Sequence, residues 1–484
     1  MNKITRRQFA GGLAASALIL QLPQLKAQQR SLLTRYDAAS DIGREMLDIY
    51  AFAVNRMMQL YAGNPQSWVW QWYTHAVHNS TTKNIAIDWI FGFNPLRSLA
   101  NEMWDTCPHR GEDPFYFLPW HRMYVFYFEE IVRQISGVSS FTLPYWNYTS
   151  PDPVKRGIVP VQFRNPRSPL FRFDRNPLAN SGSAITGDQA VDVMDIRNVM
   201  GATEYINTEF VQGFGTRIDT GIHGIIHTLV GTATNMGSVP SAAGDPLFWV
   251  HHANVDRMWA SWNAAGRSNP AGTQQGTTQF VFADGGGARR LARVDDYLST
   301  EQLGYTYDTL IALDGTEASP PLNTAMRTRS RRSATGAAPS RTPTIIARSS
   351  EAVTIGSKPV QVTLVPNGRI AEADASQRYF LLLRNLQASS QPGVVYHIYL
   401  TPGIAPPEKS NYVGSLTFFG ATSGQGGHSP PTGSVVEPLY SFDVTDLLSA
   451  INDWGPIELV KVTIVPNGNP ASHPTIGAIE LGAQ

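Results

Sequence analysis

Eight of the eleven histidines in this chain lie between His75 and His252, and they fall into two groups divided by the long stretch from His121 to His223. The first group is His75, His78, His109 and His121; the second is His223, His227, His251 and His252. Any fold for the chain must either scatter these rings or gather them. A lone His-x-x-x-His on a helix is more often structural than metal-binding, but the set reads differently. His223 and His227 are spaced i, i+4, which puts both rings on one helical face, and a further histidine opens a helix in each group. Neutral imidazole is the commonest protein ligand for borderline transition metals. Two groups of three such donors, with no carboxylate or thiolate at comparable spacing, point to a pair of copper ions.

Helical periodicity surrounds these groups. Residues 41–62 carry apolar side chains at helical spacing (Met46, Leu47, Tyr50, Val54, Met57). Residues 122–135 read as a second helix opening just after His121. A third contains His223 and His227, and a fourth begins near His251 and runs through Asp256 and Trp262. Four helices that each bring histidine to an end or a face predict an α-helical bundle with a metal site inside it.

Composition changes after Gly315. Residues 316–350 are rich in Arg, Pro, Ser and Thr and read as a flexible, protease-sensitive linker. Beyond them, β-branched runs such as Val360–Thr363 and Tyr396-His397-Ile398-Tyr399-Leu400 recur at hairpin spacing and predict a β-sandwich over residues 351–484. At the other end, Thr5-Arg6-Arg7-Gln8-Phe9 and the apolar run that follows resemble a twin-arginine export signal, with cleavage after Ala27 and a periplasmic or secreted product. That run is too short for a transmembrane helix, so no membrane anchor is expected. The 38 basic residues balance the 38 acidic ones, which argues against nucleic acid as a partner. Cys107 is the only cysteine, so disulfides within the chain are excluded.

Two segments carry a family resemblance. Leu118-Pro119-Trp120-His121-Arg122 resembles the first copper signature of the type 3 copper proteins (tyrosinases, catechol oxidases, hemocyanins). Asp245-Pro246-Leu247-Phe248-Trp249-Val250-His251-His252-Ala253-Asn254-Val255-Asp256-Arg257 resembles the second. The likeness covers residues 40 to 265, within an expected catalytic domain of 28–315. The β region is similar to the C-terminal domain of plant-type polyphenol oxidases.

The resemblance implies His75, His109 and His121 as ligands of the first copper, with His78 as a competitor of His75, and Glu112-Asp113-Pro114 as a small loop insertion. It implies His223, His227 and His252 for the second, with His251 touching the ligands or the substrate. Cys107, two residues before His109, stands where fungal members form a thioether bond to the histidine matching His75; the alternative is a buried free thiol. Phe248 matches an aromatic packed between ligand rings, and Val239 matches a gate where plant catechol oxidases often carry Phe. Asp256 is expected to accept a proton from a ligand imidazole and fix its tautomer. Asp219 lies where plant-type members place a water-positioning Glu, one methylene longer. Gly224 stands where members that hydroxylate monophenols well often carry Asn.

The resemblance therefore implies a dicopper oxidase that uses O2 to convert o-diphenols to o-quinones, with monophenol hydroxylation or o-aminophenol oxidation as alternatives. A small phenol is the expected substrate, and a copper chaperone a further partner. Two other classes remain open from the residues alone: an oxygen carrier with the same six ligands and a closed pocket, and a dinuclear zinc hydrolase, against which the all-histidine pattern argues. The β domain is expected to sit over the pocket and keep the full-length chain latent, with simple stabilisation as the alternative.

Overall fold

The computed structural model describes residues 32–77, 81–108, 114–318, 342–367, 377–402, 406–421, 439–452 and 460–484. The expected signal segment, His78, His109 and most of the expected linker lie outside the described residues. Two apolar cores organise the rest. One is helical and rich in aromatics, and the other fills a sandwich of two β-sheets.

The helical core is built on Asp41–Gln59, Phe117–Ser136 and Leu247–Ala264. The first is capped by Ser40, whose hydroxyl accepts from the Gly43 amide. Phe117–Ser136 begins earlier than the periodicity predicts, because Pro119 sits in its first turn, where a missing N–H costs nothing. His121 is thus inside the helix. Leu247–Ala264 likewise starts before His251, with Asp245 accepting from the Leu247 amide at 2.9 Å while its carboxylate takes two bonds from buried Arg175. Trp249 from this helix stacks on Phe128 of Phe117–Ser136, which fixes their facing sides.

A buried charge cluster ties the scaffold together. Arg35, at the end of the strand Leu33–Arg35, donates to Glu129 at 2.9 Å and to Asp256 at 3.0 Å. Asp256 also accepts from Arg122, Tyr305 and Tyr307. Leu33–Arg35 pairs in parallel with Tyr305–Tyr307, so the two ends of the helical domain are joined.

The C-terminal domain is a sandwich. Its larger sheet runs Val365–Pro366, Thr344–Arg348, Thr475–Ala483, Tyr379–Gln387, Leu439–Asp443, with Val353–Thr354 added beside Thr475–Ala483. The smaller runs Tyr412–Leu416, Tyr396–Pro402, Val460–Pro466, Val360–Thr363, and all pairings within both sheets are antiparallel. The boundaries differ from those read in the sequence. Glu317–Ala318 pairs with Leu310–Ile311 on the helical domain, and Thr344–Arg348 already belongs to the sandwich. The linker is therefore shorter than 316–350, because β pairing claims both of its ends. The two domains meet where Phe210 packs against Phe380 and Leu382, and where Asn467 donates to the Asp188 carbonyl. Among the described residues, no helix is long and apolar enough to cross a membrane.

Candidate metal centre

Each described histidine of the two groups is positioned by a different local device. His75 ends the short helix Trp68–His75, whose N-cap is Ser67. His121 sits in the first turns of Phe117–Ser136. His223 closes a wide turn, Ile218–His223, that breaks at Gly221 before the helix Gly224–Val230 carries His227. The break at Gly221 precedes both histidines, and His223 and Gly224 have right-handed helical backbone, so the i, i+4 pair shares one helical face. His251 and His252 lie on Leu247–Ala264.

The two groups form one site. The rings of His121 and His252 stack face to face, with centroids 4.2 Å apart and planes 6° from parallel. His121 also lies near His75 and His223. Potential donor atoms gather in two sets, each within 4.8 Å: His75, Cys107 and His121 in one, and His223, His227, His251 and His252 in the other. His109, the remaining expected ligand, lies outside the described residues, as do Glu112 and Asp113.

Backbone carbonyls orient three of these rings through Nδ1. His121 Nδ1 lies 2.8 Å from the Phe117 carbonyl, His227 Nδ1 lies 2.6 Å from that of Met236, and His223 Nδ1 lies 3.2 Å from that of Asp219. A proton held on Nδ1 leaves Nε2 as the lone-pair donor, the usual outer arrangement of a metal-binding histidine. Burial pushes the His227, His251 and His252 imidazoles well below the ordinary histidine value, and the neighbouring rings push the same way. The rings are therefore neutral. Nε2 of His227 and both nitrogens of His252 are buried with no hydrogen-bond partner among the described residues. Such orphans are costly in a protein interior. Neutral imidazoles with inward-facing lone pairs fit copper in either oxidation state, and among the described residues no carboxylate joins either donor set as a zinc hydrolase would require.

The neighbours expected from the sequence take varied places. Phe248 lies among the ligand rings, 4.2 Å from His252 and 5.0 Å from His75. Val239 lines the cavity above the site. His251 is fully buried, stacked on His223 and facing Tyr148, and its donor atoms lie in the same set as those of His223, His227 and His252. Cys107 Sγ lies 3.5 Å from His121 Nε2, while its backbone N–H donates to the His75 carbonyl at 3.3 Å.

Asp256 requires a correction. Its carboxylate accepts from Arg122, Arg35, Tyr305 and Tyr307, and among the described residues it orients no imidazole. Four residues after His252, it lies one turn further along the same helical face, where Arg35 and Arg122 reach it. The acid beside a ligand is instead Asp219, whose Oδ1 lies 3.3 Å from His223 Nδ1.

The sequence did not single out two further residues. Phe419, from the loop after Tyr412–Leu416, stacks on His227 with centroids 4.1 Å apart and planes 12° from parallel, and meets His223 edge-on. Thr417 lies over Gly224. Phe419 and Gly420 complete the cavity whose other walls include Val239, Asp219, Phe117 and His223, and they leave it only about 20 Å³ of free space. Nothing local in Thr417-Phe418-Phe419 marks these residues as partners of histidines so distant in the chain.

A model of the common central domain of tyrosinase matches residues 65–265. Tyrosinase HcTyr1 of Hahella sp. (strain CCB-MM4) is 27% identical to this chain over an alignment covering 91% of the chain and 97% of that relative. Aureusidin synthase of Antirrhinum majus is 24% identical over 86% of the chain and 75% of its own length. The fold is shared with latent apple tyrosinase, at a TM-score of 0.59 and 19% identity, over 94% of this chain and 98% of that one.

Proposed function

The chain belongs to the type 3 copper family of tyrosinases and polyphenol oxidases, and we propose that it oxidises o-diphenols to o-quinones with O2. The observation that supports this most is the donor set: buried imidazoles from two sequence groups, interleaved by the stacking of His121 on His252. His75, His109 and His121 would hold one copper, and His223, His227 and His252 the other. The pair supplies the redox chemistry that couples O2 reduction to a two-electron oxidation of the phenol.

The chain's own residues shape the rest. The carbonyls of Phe117, Asp219 and Met236 hold the imidazoles in one tautomer. Phe248 and Phe117 pack between the rings and keep water away. Val239, smaller than the Phe that the resemblance places at this gate, would leave room for a substrate ring once Phe419 is withdrawn. Asp219 is turned to His223, and Gly224 offers no side chain, so neither is set to orient a water that would deprotonate an incoming monophenol. This favours o-diphenols, which ionise more readily, over tyrosine-like substrates.

Three finer elements belong to the same reading. The full-length chain is latent, because Phe419 fills the place over His227 that a substrate ring needs. Cys107 forms a thioether to His75, which its backbone already touches, losing the thiol hydrogen and one ring hydrogen with O2 as the two-electron oxidant. The chain is exported folded through its twin-arginine-type segment, and a chaperone delivers its copper. Comparing tyrosine, tyramine, catechol and an o-aminophenol as substrates of the copper-loaded, linker-cleaved protein tests the central claim. Catechol is expected to be oxidised fastest; no oxygen uptake with catechol overturns the proposal.

A further inference from the structure

Gly224 has an ordinary right-handed helical backbone, with φ −62° and ψ −33°. Nothing in its conformation requires glycine, and glycine at a helical position is disfavoured relative to alanine. The helical domain does not require it either. A Cβ placed on residue 224 would find the Asp219 carbonyl at 3.6 Å, an ordinary contact. Among the described residues the only approach under 3 Å is to Thr417 Oγ1, at 2.8 Å, which is tighter than real Cβ contacts allow, and Phe419 Cβ lies at 3.7 Å. Both of those residues belong to the C-terminal domain.

Thr417 is held by its place in the chain and by its backbone. Residues 416–419 alternate like a strand: Leu416 and Phe418 point into the sandwich core, whereas Thr417 and Phe419 face the helical domain. Thr417 is fully buried, and its carbonyl accepts from the Tyr440 hydroxyl at 2.8 Å. It has little room to withdraw.

We infer that Gly224 is the seat of the C-terminal domain: the missing side chain after His223 is the space that Thr417 occupies, so residue 224 sets how firmly Phe419 closes the copper cavity. The inference rests on the proposed latency for its functional meaning, but its packing content stands independently. It also joins two properties in one position. A side chain at 224 that would act on the substrate must first displace the seal, so the chain cannot gain that group and keep its closure.

The test uses the full-length chain free of copper, in which hydrogen–deuterium exchange of residues 416–421 reports the seal without any assay. Gly224→Ala, and more strongly Gly224→Asn, are expected to speed that exchange, the latter by about tenfold or more. Thr417→Ala in the Gly224→Ala background is expected to restore slow exchange, because it removes the clashing atom. Exchange in Gly224→Asn equal to wild type overturns the inference. In the copper-loaded protein, the ratio of catechol oxidation after trimming to that before it is compared within each variant. A ratio that is high in wild type and falls in Gly224→Asn supports the coupling; a high ratio unchanged by the substitution overturns it. A wild-type ratio of one overturns latency instead, and the exchange comparison then decides the seating role alone.

Discussion

Phe419 lies flat on the imidazole of His227, with ring centroids 4.1 Å apart, although the two residues belong to different domains. In the proposed reading, this ring takes the place that an aromatic substrate needs over the copper pair. Phe419→Ala should therefore raise catechol oxidation by the untrimmed chain by at least about tenfold, since truncating a buried phenylalanine removes several kcal/mol of packing. Oxygen uptake before and after trimming measures it. Equal rates for the variant and wild type before trimming would show that the ring is not the obstacle.

His227 has Nδ1 bound to the Met236 carbonyl and Nε2 free to act as a donor. His227→Ala should lower the copper content of the loaded protein from two ions per chain toward one and abolish catechol oxidation. Metal analysis of the folded protein checks this. Retention of both ions would remove His227 from the ligand set.

Asp256→Asn should destabilise the chain by about 3 to 5 kcal/mol, the usual cost of removing one partner from a buried ion cluster. Burial alone raises the Asp256 carboxyl, but Arg122, Arg35 and the hydroxyls of Tyr305 and Tyr307 together bring it below its ordinary 3.8. A group depressed in the folded state stabilises fully above its unfolded value. That contribution drains away as pH falls below about 3.8 toward the folded value. Wild-type stability should thus drop across this acid window, and the variant's curve should be flatter there. Denaturant unfolding at a series of pH values distinguishes the two, and parallel curves would count against the assignment.

A thioether between Cys107 and His75 removes the only thiol and two hydrogens from the chain. Peptide mapping of the copper-loaded protein should recover the two residues in one linked fragment, with no alkylatable cysteine. Quantitative alkylation of Cys107 after unfolding would refute the bond. Its contact with His121 Nε2 would then be the sulfur's actual role.

Much of this architecture is legible in the sequence, and the misses have physical causes. The i, i+4 spacing of His223 and His227 and the apolar stripe of residues 41–62 report local geometry, so both appear where expected. Helix starts at Phe117 and Leu247 are masked by Pro119 and Pro246, which look like breakers, yet one sits in a first turn and the other at an N-cap, where no helical hydrogen bond is lost. Thr344–Arg348 was lost in a stretch of linker-like composition, because its β pairing with Thr475–Ala483 is decided far along the chain. Asp256 was misassigned for a related reason. Its distance from His252 is visible in the sequence, but the competing arginines, Arg35 and Arg122, come from other elements. Phe419 and Thr417 carry no local signal, since their role exists only once two domains meet.

The parallel pairing of Leu33–Arg35 with Tyr305–Tyr307 also imposes an order in time. Arg35 leaves the ribosome 272 residues before the Tyr307 hydroxyl that helps to bury it. At ordinary rates of synthesis that wait is roughly a quarter of a minute to a minute. Until Tyr307 emerges, the scaffold around the histidines cannot close. Once Phe419 emerges, the cavity can be stoppered. Between those two moments the nascent chain passes through a stage in which the pocket is complete and its stopper has not yet been made.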